Sequence, residues 1–258
     1  MHLLFEIGNS RVKWASCEER SLIDAAHASL SEDWQSRLNH WLDERADAGV
    51  ATWQKVYWAS VSGEGVNARL QSLIQSRLGC ELNRIVAQAE LLGLRNGYDD
   101  FAQLGVDRWL AMLAAWSQQS GEKNGPLCVV DAGTATTIDL IDPQGQHLGG
   151  LILPGFQLAQ NMLEKQTAKI GLSEAPDKAN FPFWATNTRE AVTGGIRHAT
   201  LALIEKALNS QDQEISLILT GGGAPALLDL ATDRLARSTT HVTIRPNLVL
   251  EGLALLTQ

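Results

Sequence analysis

Residues 3–16 read LLFEIGNSRVKWAS, and residues 127–142 read LCVVDAGTATTIDLID. Each begins as an apolar run that ends in an acid, Glu6 or Asp131. Each then passes through x-Gly and a short polar stretch into a second, alternating apolar run. A strand, a glycine turn and an alternating strand predict a β-hairpin. One such hairpin says little. Two of them, with their acids 125 residues apart in a chain of 258, predict an internal duplication into two similar α/β halves.

The rest of the pattern agrees. In the first half, strands are expected at 3–8, 11–17, 56–61 and 84–87, with helices at 32–48 and 66–78. Ser31 is the expected N-cap of the first helix, since Trp34, Leu38, Trp41 and Leu42 follow at helical spacing. In the second half, strands are expected at 127–132, 136–142, 147–152 and 215–219. Helices are expected there at 155–168, 188–208, 224–236 and 247–257. Strand pairs followed by helices indicate α/β layering. The segment 170–187, with Pro176 and Pro182, reads as a long surface loop. The expected domains are 1–123 and 124–258, joined near GEKNGP at 121–126.

Net charge is −8, which argues against a general nucleic-acid or anionic-membrane surface. A local pocket for a small anion stays open. No apolar run approaches the roughly 18 residues of a membrane span. The start of the chain shows no signal-peptide pattern, so a cytoplasmic protein is expected. Cys17, Cys80 and Cys128 are scattered and form no CxxC pair, which predicts buried thiols rather than disulfides or zinc. The six histidines form no HxxxH or HExxH pattern.

The two hairpin loops have a chemical use. A glycine at Gly8 or Gly133 lets the backbone turn tightly and approach a ligand. Asn9, Ser10, Thr134, Thr136 and Thr137 are short donors suited to phosphate oxygens. Arg11 and Lys13 share one face of their strand, so both can face a polyanion. The acids would repel phosphate, so a cation such as Mg²⁺ or water should stand between. Glu6 could instead pair with Arg11 or Lys13. No GxxxxGK[ST] motif occurs, so this is not a Walker A loop.

Two further signals carry chemistry. In LILTGGGAPALLDL, 217–230, a buried strand ends in Gly221-Gly222-Gly223 before a helix with Pro225 in its first turn. Bare backbone there would admit an adenine ring, although a strand-to-helix turn needing positive φ also accounts for glycine. In YDDFAQLGVDRWLAMLAAW, 98–116, an amphipathic helix follows Gly105, with Asp107 and Arg108 in its first turn. Asp107 either complements the helix dipole or acts as a base beside an anion-recognising arginine.

Taken together, EIGNSRVK, GLRNGYDDFAQLGVDRW, DAGTATTIDL, GGLILPG, NTREAVTGGI and LTGGG resemble, in order, the motifs of the type III pantothenate kinases. That family belongs to the acetate and sugar kinase/Hsc70/actin superfamily. The resemblance implies a duplicated ribonuclease-H-like (actin-like ATPase) fold, with two halves around a nucleotide cleft. It implies ATP-dependent phosphorylation of pantothenate, the first step of coenzyme A synthesis. By the same resemblance Glu6, Ile7, Gly8, Asn9, Ser10, Arg11, Val12 and Lys13 hold the ATP phosphates and Mg²⁺. Thr134 and Gly221 to Gly223 contact ATP. Asp107 is the expected base, and Tyr98, Gly105, Val106 and Arg108 line the pantothenate pocket. Asp131 is the expected monovalent-cation site, for K⁺ or NH₄⁺. Thr188 closes the pantothenate site from the other subunit, which implies a homodimer.

Two positions depart from the family pattern. Glu6 replaces its aspartate, and the extra methylene moves the carboxylate by about 1.5 Å. Phe101 replaces a common proline. Glu6 therefore leaves a rival reading: a nucleotide-binding homologue with weak or no kinase activity and a regulatory role. A phosphatase of the same superfamily is a third, which the substrate motif at 98–108 opposes.

Overall fold

The computed structural model describes residues 1–49, 53–119, 125–167, 183–235 and 239–257. In chain order it begins with β1 (His2–Ile7), β2 (Arg11–Glu18), β3 (Ser21–Ser29), α1 (Trp34–Asp47), β4 (Lys55–Ser60), α2 (Glu64–Arg77) and β5 (Glu81–Arg84). A small hairpin, β6 (Glu90–Leu91) and β7 (Leu94–Arg95), leads through a 3-10 turn at Phe101–Gln103 to α3 (Val106–Ser117). Then follow β8 (Leu127–Ala132), β9 (Ala135–Ile141), β10 (His147–Pro154), α4 (Phe156–Gln166) and α5 (Thr188–Leu208). The chain closes with β11 (Ile215–Thr220), α6 (Ala224–Leu235), β12 (Thr239–Ile244) and α7 (Leu248–Ala254).

Two five-stranded sheets repeat one topology. The first has the order β3-β2-β1-β4-β5 and the second β10-β9-β8-β11-β12. In the first, β1 and β3 run antiparallel to β2, and β4 joins β1 and β5 in parallel. The second repeats each pairing strand for strand. The repeat extends to single residues: Glu6 faces Lys13 across its hairpin, and Asp131 faces Thr137.

In the first unit, Leu3, Phe5, Ile7, Val12, Trp14, Val56 and Trp58 turn one sheet face toward α1 and α2. Those helices answer with Trp34, Leu38, Leu70 and Ile74. Strand side chains alternate, so Glu6 and Lys13 point to the opposite face, where α3 and α7 pack. In the second unit, Cys128, Val130, Ile138, Leu217 and Leu219 meet α5, where Leu201, Ile204 and Leu208 close the core.

The expected boundary at 123 falls among residues outside those described, as does most of the expected loop at 170–187. The units group as Met1–Gln118 with Asn247–Gln258, and Gln119–Pro246. The expectation counted 247–258 with the second half, but α7 packs on α3 and on the first sheet. Gly252 explains how closely: a Cβ there would overlap the Leu110 carbonyl. The N-cap of α1 is Asp33, whose carboxylate accepts from the Ser36 amide at 3.2 Å. Ser31, the expected cap, bonds Ser29 instead. The strands β3 and β12, absent from the sequence reading, are both edges. The fifth strand lies at 81–84 rather than 84–87.

Candidate active site

The loop after β1 is a tight hairpin, closed by Gly8 N–H donating to Arg11 O at 2.9 Å. Ser10 O accepts from the Leu30 amide at 2.9 Å, which ties the loop to the end of β3. Asn9, Ser10 and Arg11 are exposed on the loop. Ile7 and Val12 are buried in the core, so they can serve a phosphate only through their backbone. At Gly8 an added Cβ would meet only Arg11 O at an ordinary 3.5 Å. The protein's own packing therefore does not demand glycine there.

Glu6 and Lys13 form an ion pair at 3.1 Å, with the two side chains only 13% and 19% exposed. Burial pushes the Glu6 carboxyl above its usual value. Lys13 pulls it down, and the Asp107 carboxylate adds to the upward push. The structure thus gives Glu6 the Lys13 partner that the sequence reading held open as the alternative to metal holding. It also brings the acid of the first loop into the field of Asp107.

Asp107 stands in the first turn of α3, on the helix N-terminus. Its Oδ1 accepts from the Arg108 amide at 2.8 Å. A Cβ at Gly105 would lie 2.6 Å from that oxygen, so glycine gives the carboxylate room to fold back over the helix start. Val106 is buried and packs the helix in place. Arg108, 6% exposed, donates from Nη1 to the Tyr98 hydroxyl at 2.6 Å, with its guanidinium 5.5 Å from that ring's centre. The Tyr98 amide donates to Asn96 Oδ1 at 3.0 Å, and Asn96 Nδ2 donates to Gln88 O and Phe101 O. Asn96 therefore braces the segment that presents Tyr98, a role the sequence reading did not assign.

In the second unit the loop after β8 is one residue shorter, closed by Gly133 N–H donating to Ala135 O at 3.0 Å. Thr134 is exposed, whereas Thr136 is buried at 4%. The Asp131 carboxylate is cradled by glycines. A Cβ on Gly133 would sit 3.4 Å from its Oδ1, and one on Gly221 would overlap it. Gly221 has φ +84°, so positive φ and close packing both account for this glycine. Gly223 donates to Ala132 O at 2.9 Å, whereas Gly222 is exposed. Gly155, in GGLILPG, was assigned no role from sequence. Its amide donates to Thr134 O at 3.0 Å, and a Cβ there would collide with the backbone of the loop. Thr188 opens α5 and is exposed, one residue after the Asn187 cap, whose Oδ1 accepts from Glu190 N at 3.0 Å.

Cys17 and Cys128 are buried and Cys80 is partly buried, all three as free thiols. Burial pushes the Cys128 thiol up to about 12, with the Asp139 carboxylate adding to the effect. No helix among the described residues is long and apolar enough to cross a membrane.

The family model for type III pantothenate kinases matches residues 2–210. The type III pantothenate kinase of Nitrosococcus oceani is 31% identical, over 98% of this chain and 92% of its own. That of Azoarcus sp. is 33% identical, over 99% and 90%. Among solved structures, the activator of the 2-hydroxyisocaproyl-CoA dehydratase from Clostridium difficile superposes with a TM-score of 0.53. It covers 99% of this chain and 93% of that one at 10% identity, and so speaks for the actin-like ATPase fold alone.

Proposed function

This chain belongs to the type III pantothenate kinase family, and from that premise we propose how its residues carry the reaction. It transfers a phosphoryl group from ATP to pantothenate, with a divalent metal. The observation that carries the residue assignment is the grouping of Glu6, Lys13 and Asp107 on one face of the first sheet.

Phosphoryl transfer asks the protein for alignment and charge neutralisation more than for covalent chemistry. The backbone and side chains of residues 6 to 13 hold the β- and γ-phosphates, and Lys13 offsets their charge. Thr134 and the turn at Gly221 to Gly223 contact the rest of ATP. Asp107 accepts the proton of the pantothenate primary hydroxyl as the phosphorus–oxygen bond forms. Tyr98 and Arg108 hold the pantothenate, with Gly105 and Val106 shaping the pocket wall.

The residues fit the expected cations. Mg²⁺ keeps most of its waters and takes few protein ligands, so Glu6, although paired with Lys13, would hold it through water. When bound, the ion neutralises charge on the phosphates. A hard oxygen cradled by two glycines suits a monovalent cation at Asp131.

The proposal includes a homodimer, with Thr188 completing the partner's pantothenate site. Its support is apolar surface. The edge strand β10 leaves Leu148, Leu151 and Ile152 exposed, and α4 leaves Leu158, Met162 and Leu163 exposed with no buried residue of its own.

The test is ADP release with and without pantothenate, in K⁺ and in Na⁺. Pantothenate-dependent release that is faster in K⁺ supports the account. Release that ignores pantothenate indicates a hydrolase, and nucleotide binding without turnover indicates the inactive homologue.

A further inference from the structure

We propose that the groove between α1 and α2 is a separate anion site, built for a compact phosphate ester that also carries a hydroxyl. The groove is open to solvent and has a volume of about 480 Å³, within the usual range for small-molecule sites. Its α2 side presents Arg69, Ser72, Ser76 and Arg77, spaced to share one helix face. Its α1 side presents Gln35 and Asn39, one turn apart. Leu73, buried in the core below, is its one apolar lining residue.

The chemistry of this lining is one-sided. Two guanidinium groups, two hydroxyls and two carboxamides all offer donors, and no carboxylate lines the groove. The guanidinium of Arg69 sits 5.8 Å from the centre of the Trp34 ring, which aims it while leaving its N–H groups for a ligand. Arg69 has no carboxylate partner among the described residues. Arg77 is held from the rim by Asp43. Guanidinium groups bind phosphate oxygens through paired N–H donors, which makes them the natural anchors.

Asn39 adds the second requirement. Its Oδ1 is shut off from water and has no hydrogen-bond partner. A buried acceptor left unpaired is costly, so the site asks for a donor as well as an anion. A hydroxyl on the ligand, or the P–OH of hydrogen phosphate, supplies it once the Asn39 carboxamide turns toward the groove. A chain of net charge −8 does not carry such a donor cluster through general basicity. The groove also lies on the α1/α2 side of the first sheet, whereas Glu6 and Lys13 point to the α3/α7 side. Occupancy here leaves the phosphate loops untouched.

The test uses ¹⁵N-labelled full-length protein with its nucleotide site saturated by ADP and Mg²⁺, titrated with inorganic phosphate and then with glycerol phosphate. Saturable shifts are expected for the backbone amides of Asn39, Ser72 and Ser76 and for the Nε–H groups of Arg69 and Arg77. Arg69→Gln with Arg77→Gln should weaken binding about tenfold or more, since two charge-assisted contacts go. Both arginines are exposed, so the fold and the turnover of ATP with pantothenate should be unchanged. Absence of saturable shifts in the groove would overturn the proposal. So would equal affinity in the double variant, or shifts confined to Gly8–Lys13.

Discussion

At the scale of single residues, Glu6 decides most. Its carboxylate is buried, paired with Lys13 and within the field of Asp107. Glu6→Asp shortens the reach and should be as fast as wild type or faster, because small misplacements at a reacting centre cost on the order of 10²-fold. Glu6→Gln should be much slower at every Mg²⁺ concentration. A Mg²⁺ titration identical for wild type and Glu6→Gln would instead leave Glu6 only its pairing with Lys13. Stability reads the same residue independently. A folded-state value raised above 4.5 means that the Glu6 contribution is fully present below that pH and is lost as pH rises through the folded value. The melting temperature of wild type minus that of Glu6→Gln should therefore fall as pH rises above 4.5 and through the raised folded-state value. A flat or rising difference would contradict the assignment. Lys13→Met, which strands a buried carboxylate, should cost about 3 kcal/mol in urea unfolding at neutral pH.

At the scale of elements, the legible parts were those whose periodicity meets a core. The helix at 188–208 was read to the residue, and β1, β2, β8 and β9 to within about two residues. Two of the edges, β3 and β12, were not legible, for a physical reason. β3 reads SLIDAAHAS and keeps only Ala28 buried, so neither alternation nor a run of strand formers marks it. The cap of α1 was misjudged because Ser31 and Asp33 both precede Trp34, and only backbone geometry chooses Asp33. Asp33→Ala should lower the melting temperature at pH 7, while Asp33→Asn should keep most of the wild-type value. Equal melting of Asp33→Ala and wild type would show that the cap does nothing. α7 makes a sharper case, because its Gly252 lies against the Leu110 carbonyl of α3. Gly252→Ala should cost about 3 kcal/mol in urea unfolding, since backbone cannot yield as a side chain does. An unchanged midpoint would mean that α7 and α3 are not so closely packed.

At the scale of the whole molecule, the duplication was legible because it repeats chemistry as well as pattern. An acid at the end of a central strand recurs at Glu6 and Asp131, and the sheets around them share one strand order. The glycines were legible as a set but not one by one. Gly155 and Gly105 serve the backbone of a loop and the carboxylate of Asp107, contacts that only folding creates. Assembly lay beyond pattern reading, and the proposed homodimer is supported by the exposed apolar residues of β10 and α4. Mixing Asp107→Asn chains with Thr188→Ala chains should yield heterodimers with one restored site. Chains that demonstrably exchange without restoring a site would exclude the shared arrangement. The central claim is that this chain phosphorylates pantothenate with Asp107 as the base. Its most direct test is mass-spectrometric measurement of 4′-phosphopantothenate made from ATP by wild type and by Asp107→Asn, both checked for an intact fold. The account predicts steady product from wild type and roughly 10²-fold less from the variant. Equal product from both would remove Asp107 from the mechanism, and no product from wild type would contradict the kinase itself.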